Sequence, residues 1–139
     1  MEITNISTVT VPEGQNVPFT ETAVKGSACI QHREGSGVVS LRGITNQCRA
    51  RYKVEYSGNI AIPTGGTVGA ISLAIALEGE ALQATQMIVT PAAVENFFNV
   101  SAATYIDVPK GGYANVAIEN TSDQAILVAN SNLVITREA

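Results

Sequence analysis

Apolar and polar residues alternate along most of this chain in short runs, and Gly, Pro, Asn and Ser interrupt each run. Period-two alternation of this kind predicts short antiparallel strands. In residues 49–62, Ala50, Tyr52, Val54 and Tyr56 fall on one face and Arg49, Arg51, Lys53 and Glu55 on the other. Ser57-Gly58-Asn59 breaks the alternation, which predicts a bulge or sharp bend there. Upstream, residues 28–32 and 38–42 flank Glu34-Gly35-Ser36-Gly37 and read as a hairpin. Pro63-Thr64-Gly65-Gly66 reads as a turn. In the following run, 68–77, Ile71, Leu73, Ile75 and Leu77 face one way, and the small residues Ala70, Ser72, Ala74 and Ala76 face the other. Such a strand should pack closely on both sides, against the core and against a second sheet or a neighbouring subunit.

Beyond Glu78-Gly79-Glu80, residues 81–89 continue the strand pattern, and 92–96 read as one helical turn after Pro91. Residues 97–107 form a strand, Val108-Pro109-Lys110-Gly111-Gly112 a tight turn, 113–119 and 124–129 a hairpin across 120–123, and 133–137 the closing strand. About ten short strands, with turn signals every 8 to 12 residues or so, predict one all-β sandwich or barrel. It spans residues 1–139, with 1–10 as an extended N-terminal arm.

Composition adds a surface character. A 139-residue chain is of ordinary single-domain size. Charged residues make up 14%, about half the usual share of roughly 25%, while 45% are hydrophobic. Apolar surface must then be buried internally or shared with neighbours, a hint of oligomerisation. A net charge of −4 and a pI near 4.9 argue against nucleic-acid binding, which needs clustered Lys and Arg. The alternating Arg49, Arg51 and Lys53 share their face with Glu55 and read as a solvated strand surface. The longest apolar run, 68–77, is too short for a spanning helix of about 20 residues. The N-terminus lacks the basic and apolar regions of a secretory signal, so a cytoplasmic origin, with release by lysis, is expected.

Candidate chemistry is sparse, and no enzyme activity or cofactor is expected. His32 is the single histidine, so any nucleophilic triad would have to use it, yet it sits mid-hairpin beside Arg33 and Glu34. Cys29 and Cys48 form no CxxC pair, too few ligands for zinc, and are expected as free thiols. Glu78 and Glu80 merely flank a turn glycine. Gly65-Gly66-Thr67-Val68-Gly69 lacks the lysine and the helix of a phosphate loop. Asn5, Asn99 and Asn120 begin N-x-S triplets that read as chance matches. Without Trp, a sugar platform would fall to the few Tyr and Phe, and Tyr52 and Tyr56 share a face with Val54 that suggests core packing.

Several local patterns resemble the C1q/TNF-like jelly roll. They are Val11-Pro12 leading to Thr20 as an opening strand, the bent strand 49–62 with its Pro63-Thr64-Gly65-Gly66 turn, and the apolar strand ending in Glu78-Gly79-Glu80. Pro109-Lys110-Gly111-Gly112 before Ala114-Asn115-Val116-Ala117-Ile118, and the small-polar run Ala129-Asn130-Ser131-Asn132 before Leu133-Val134-Ile135, extend the similarity. Val24-Lys25-Gly26-Ser27 and residues 88–94 are also similar to proteins encoded near phage structural genes. The resemblance implies a homotrimer acting as a structural protein on the surface of a phage-like virion, as capsid decoration or fibre head. Its partners would be a major capsid protein or a fibre shaft. The implied trimer interface uses Ala70, Ser72, Ala74 and Ala76, or alternatively Tyr113 and the final strand. The competing expectation is an adhesion module that holds a host glycan or protein in the loops at one end of the sandwich.

Overall fold

The structure, a computed structural model, describes all 139 residues. Twelve strands form two antiparallel sheets: β1 (Glu2–Asn5), β2 (Val9–Val11), β3 (Glu21–Val24), β4 (Ile30–His32), β5 (Val38–Arg42), β6 (Arg49–Ala61), β7 (Ile71–Leu77), β8 (Glu80–Ala81), β9 (Met87–Val89), β10 (Phe98–Pro109), β11 (Tyr113–Asn120) and β12 (Ile126–Arg137). Sheet I has the order β10-β6-β12-β1-β3, with β2 beside β12. Sheet II has the order β4-β5-β11-β7-β8, with β9 beside β7. Facing residues of the two sheets make one core, in which Tyr52, Tyr56, Leu73, Ile75, Ile118, Leu133 and Ile135 are fully or almost fully buried. No helix is long and apolar enough to cross a membrane.

The alternation along β6 is realised as expected, with Ala50, Tyr52, Val54 and Tyr56 buried and Glu55 exposed. The 28–42 hairpin forms as well, pairing Ile30 with Leu41 and His32 with Val39. The irregularity expected in β6 lies in its neighbour instead. Ala129 pairs with Asn59 and Asn132 with Ser57, leaving Asn130 and Ser131 as a bulge opposite Gly58. Asn130 takes a left-handed φ of 53°, which Asn tolerates better than most residues. Gly58 is required because a Cβ there would overlap the Tyr56 hydroxyl. That hydroxyl is hydrogen-bonded to Ser131 Oγ at 2.9 Å.

The expected hairpin 113–119/124–129 does not form: β11 belongs to sheet II and β12 to sheet I. The polar turn between them carries the chain from one layer to the other. Asn120 holds the crossing. Fully buried, its Nδ2 donates to the carbonyls of Val11 (2.9 Å), Pro12 (3.3 Å) and Gln124 (3.0 Å), while its Oδ1 accepts the Ser122 N–H (2.9 Å). Freed from β11, residues 126–137 run as one strand along β6 rather than as two pieces.

Two smaller expectations change, while the extended N-terminal residues 1–10 lie docked on sheet I, β1 pairing with β12 and β3 and β2 with β12. The expected opening strand 12–20 is irregular, although Val17 and Phe19 are buried and Val17 donates its N–H to the Ile118 carbonyl. Residues 92–96 form turns rather than a helical turn. The one helical element is a 3-10 turn, Gln83–Thr85, where Thr85 Oγ1 accepts the Ile75 N–H and donates to the Leu82 carbonyl.

The accessible surface is 6847 Å². A folded monomer of 14.5 kDa should expose about 6,900 Å². The single chain is thus as compact as its size predicts, while large apolar side chains such as Ile6, Ile88, Tyr105 and Tyr113 stay on its surface.

Candidate interaction surfaces

The small-residue face of β7 is mostly closed by the chain itself. Ala74 and Ala76 have essentially no exposed surface (0% and 1%), so they offer a neighbouring subunit almost nothing to touch. Ser72 is half-buried, its hydroxyl bonded to Thr121 Oγ1 at 2.7 Å and its N–H donated to Ser122 Oγ at 2.8 Å. Thr121 Oγ1 in turn donates to Gln86 Oε1 at 2.9 Å. Gln86 lies on the β9 side of β7 and Thr121 on the β11 side, so this bond spans the strand. Only Ala70, ahead of β7, is exposed. Tyr113 is 68% exposed, but it stands on sheet II while the final strand lies in sheet I. The alternative pairing of these two therefore falls on different layers.

The outer face of sheet I has two zones. At one end Arg51 grips Asp107 with two hydrogen bonds, Nε–Oδ1 at 2.8 Å and Nη2–Oδ2 at 3.1 Å, and Arg49 approaches the same carboxylate at 3.5 Å. The Arg51 hydrogen bonds hold the Asp107 carboxyl below its usual range, and the same bonds raise the Arg51 guanidinium. Lys53 meets Glu55 at 3.4 Å, so this zone is a solvated ion-pair lattice. The other zone has almost no charge. Asn99 Nδ2 donates to Asn59 Oδ1, and Asn59 Nδ2 to Asn130 Oδ1, each at 3.1 Å. Register places Ser101 opposite Ser57, Ser57 opposite Asn132, and Asn132 opposite Thr4. The bulge in β12 brings Asn130 into line with this ladder. Nothing in the period-two pattern discloses the strip, because its members come from four strands whose neighbours are set by register.

On the outer face of sheet II, near the Gly111-Gly112 turn, a shallow hollow of about 260 Å³ is lined by Gln31, Ser40, Arg42, Gly111, Gly112 and Tyr113. Gln31 lies opposite Ser40, and Arg42 opposite Tyr113. The rim is fixed by backbone bonds from Gly43 N–H to the Gly112 carbonyl (2.8 Å) and from Gly111 N–H to the Gly43 carbonyl (2.9 Å). Gly43 allows that approach, since a Cβ there would run into the Pro109 carbonyl.

The residues with chemical potential are otherwise committed. His32 Nε2 lies 2.9 Å from the Ser36 carbonyl. A carbonyl only accepts, so this nitrogen is the donor, and Nδ1 is buried without a partner. His32 thereby clamps its own hairpin loop, edge-on to Phe19. Both cysteines are free, and Cys29 Sγ accepts an N–H from Arg137 Nη1 at 3.1 Å. Burial pushes the Tyr52 phenol up, with Cys29 adding to the shift, and burial raises Tyr56 to about 12. Glu78 Oε1 accepts the Asn115 N–H at 2.7 Å. No three His, Cys, Asp or Glu side chains converge as metal ligands would. Asn5 and Asn120, in two of the N-x-S triplets, are buried and serve as backbone clamps, Asn5 Nδ2 donating to the Pro18 carbonyl at 3.0 Å.

No protein-family model matches the chain, and no curated protein does either. Solved structures do. The globular domain of zebrafish complement 1qA protein superposes with a TM-score of 0.60 at 12% identity, covering 96% of this chain and 93% of that one. The C-terminal domain of the sugar-binding protein EclA gives 0.43 at 16% identity, over 95% of this chain and 80% of that one. A family 35 carbohydrate-binding module from Clostridium thermocellum gives 0.37 at 11% identity, over 96% and 97%. At such identities the complement likeness speaks of fold alone, and the fold is a C1q-like, two-sheet antiparallel β-sandwich.

Proposed function

We propose that this chain is a non-catalytic assembly domain, working as a homotrimeric structural part of a phage-like virion, as capsid decoration or fibre head. The uncharged strip on sheet I carries the assembly part of the proposal. Ser57, Asn59, Asn99, Ser101, Asn132 and Thr4 offer many donors and acceptors on one sheet face. The asparagine side chains are already ordered by their own ladder, so little entropy is lost when a neighbour docks. Three carboxylates edge the strip: Glu2, bonded by Asn132 Nδ2 at 2.6 Å, Glu21 opposite Thr4, and Glu55 two residues before Ser57 on the same face of β6. Tyr105, opposite Lys53 and 59% exposed on the same sheet face, supplies an aromatic anchor. A face of this kind repeated around a cyclic axis closes on itself. The virion setting, and with it a capsid or fibre partner, rests on the resemblance in the sequence.

Light scattering on the purified chain tests the assembly. The expected mass is about three times 14.5 kDa, falling to one chain for Ser101→Arg, which sets like charges against one another across the axis. A monomeric wild type, or a Ser101→Arg variant of unchanged mass, refutes assembly through this strip. Ala74→Glu is unsuited to the purpose, since it would bury a carboxylate inside the single chain. Mass spectrometry of purified particles tests the virion setting, and absence of the chain from them overturns it.

A further inference from the structure

We infer that the hollow on sheet II is a binding site for a carboxylate-bearing pyranose, of the uronate or sialate class. Its backbone is held in place, because Gly43 bonds both Gly111 and Gly112 and the Tyr52 hydroxyl donates to the Arg42 carbonyl. Its walls are therefore preformed on strands, as a precise site requires. Its side chains, in contrast, are largely uncommitted. The Arg42 guanidinium joins none of the ion pairs, which belong to Arg49, Arg51 and Lys53, and makes no side-chain hydrogen bond. Gln31 likewise makes no side-chain bond within the chain, and Ser40 spends only its proton, on Asn115 Oδ1 at 2.8 Å.

Each free group matches a different part of one ligand. The planar Arg42 fork suits a carboxylate held by two parallel hydrogen bonds. The exposed Tyr113 ring, directly across the strand pair, offers a flat apolar face to the C–H side of a sugar ring, with a polar tip for its hydroxyls. Gln31 and the Ser40 oxygen add a donor pair and acceptors. A volume of about 260 Å³ lies below the roughly 300–1,000 Å³ typical of drug-sized ligands, which limits the occupant to about one ring. A chain of net charge −4 does not gather polyanions by its long-range field, so one carboxylate read at short range fits better than a polyphosphate. The hollow and the strip lie on opposite sheets, so binding and assembly are independent. A monomer that still binds removes only the assembly proposal, and a trimer that does not bind removes only this one.

The probes are methyl β-D-glucuronide and the methyl α-glycoside of N-acetylneuraminic acid, with methyl β-D-glucoside as the neutral control, followed by amide chemical shifts. At least one acidic glycoside should move the amides of Gln31, Arg42, Gly112 and Tyr113, with a dissociation constant on the order of 1 mM. The neutral glucoside should bind at least about tenfold more weakly. Arg42→Gln should cost about tenfold for the acid alone, and Tyr113→Ala should abolish binding of all three. Both side chains point outward, and unchanged shifts elsewhere would report an intact fold. No response to either acid, equal affinity for acid and glucoside, or shifts centred on residues 45–47 and Arg137 of the neighbouring hollow would each overturn the inference.

Discussion

Gly58→Ala is the smallest perturbation with a large expected effect. Gly58 does not have a positive φ, so the cost comes from space and not from backbone strain. The added methyl would overlap the Tyr56 hydroxyl and stand 2.9 Å from Cζ of the same ring. Tyr56 cannot swing away. It is 2% exposed, edge-on to Phe19 with ring centroids 6.4 Å apart, and bonded to Ser131. Overpacking of a filled site costs about 1–3 kcal/mol, and displacing the hydroxyl from Ser131 adds about 1 kcal/mol. Replacing glycine within a strand returns roughly 0.5–1 kcal/mol. The net expectation is about 2–3 kcal/mol, or roughly 6–12 °C in Tm for a domain of this size. Tyr56→Phe alone should cost about 1 kcal/mol. Because it removes the atom that clashes, the double variant should fall short of the summed single costs by at least about 1 kcal/mol, well outside the usual additivity error of roughly 0.3–0.5 kcal/mol. Urea unfolding of all four proteins measures this cycle. A Gly58→Ala cost under about 0.5 kcal/mol, or strict additivity, would refute the steric account of the bulge.

Asn120→Ala strands three carbonyls and the Ser122 N–H, and with roughly 1–3 kcal/mol per unsatisfied buried group, partly relieved by water, about 3 kcal/mol of stability should disappear in urea titration. The Tyr56 phenol titrates near 12 when folded and near 10 when unfolded. Its raised value contributes stability that is complete below about pH 10 and lost as pH climbs toward about 12, and Tyr56→Phe should reduce the alkaline slope when unfolding is followed by circular dichroism, the raised Tyr52 phenol keeping the remainder. Arg51→Gln removes the hydrogen bonds that hold the Asp107 carboxyl low, so an NMR pH titration should find that carboxyl moved up toward the ordinary range.

Strand existence and facing could be read from the chain because they are local properties. Alternation along 49–62 put Tyr52 and Tyr56 inside and Arg51 and Lys53 outside before any neighbour was known. The 28–42 hairpin was equally legible, its loop being short enough for the turn residues to dictate the pairing. Strand order and register are not local, and the larger misreadings belong to that class, while the irregular 12–20 segment and the turns at 92–96 are local departures. Residues 113–119 and 124–129 look like a hairpin until one buried amide, Asn120, ties the intervening turn to the end of β2, more than a hundred residues earlier. The small face of β7 looks like surface for a neighbour until Gln86 and Thr121 are seen to meet across it. The uncharged strip and the Arg42–Tyr113 hollow exist only because pairing sets residues from separate strands side by side. The sequence by itself determined how each strand presents its two faces, since that follows from bond geometry within a few residues. Only the tertiary structure decided which faces meet and which remain open, since that depends on contacts between segments far apart in the chain.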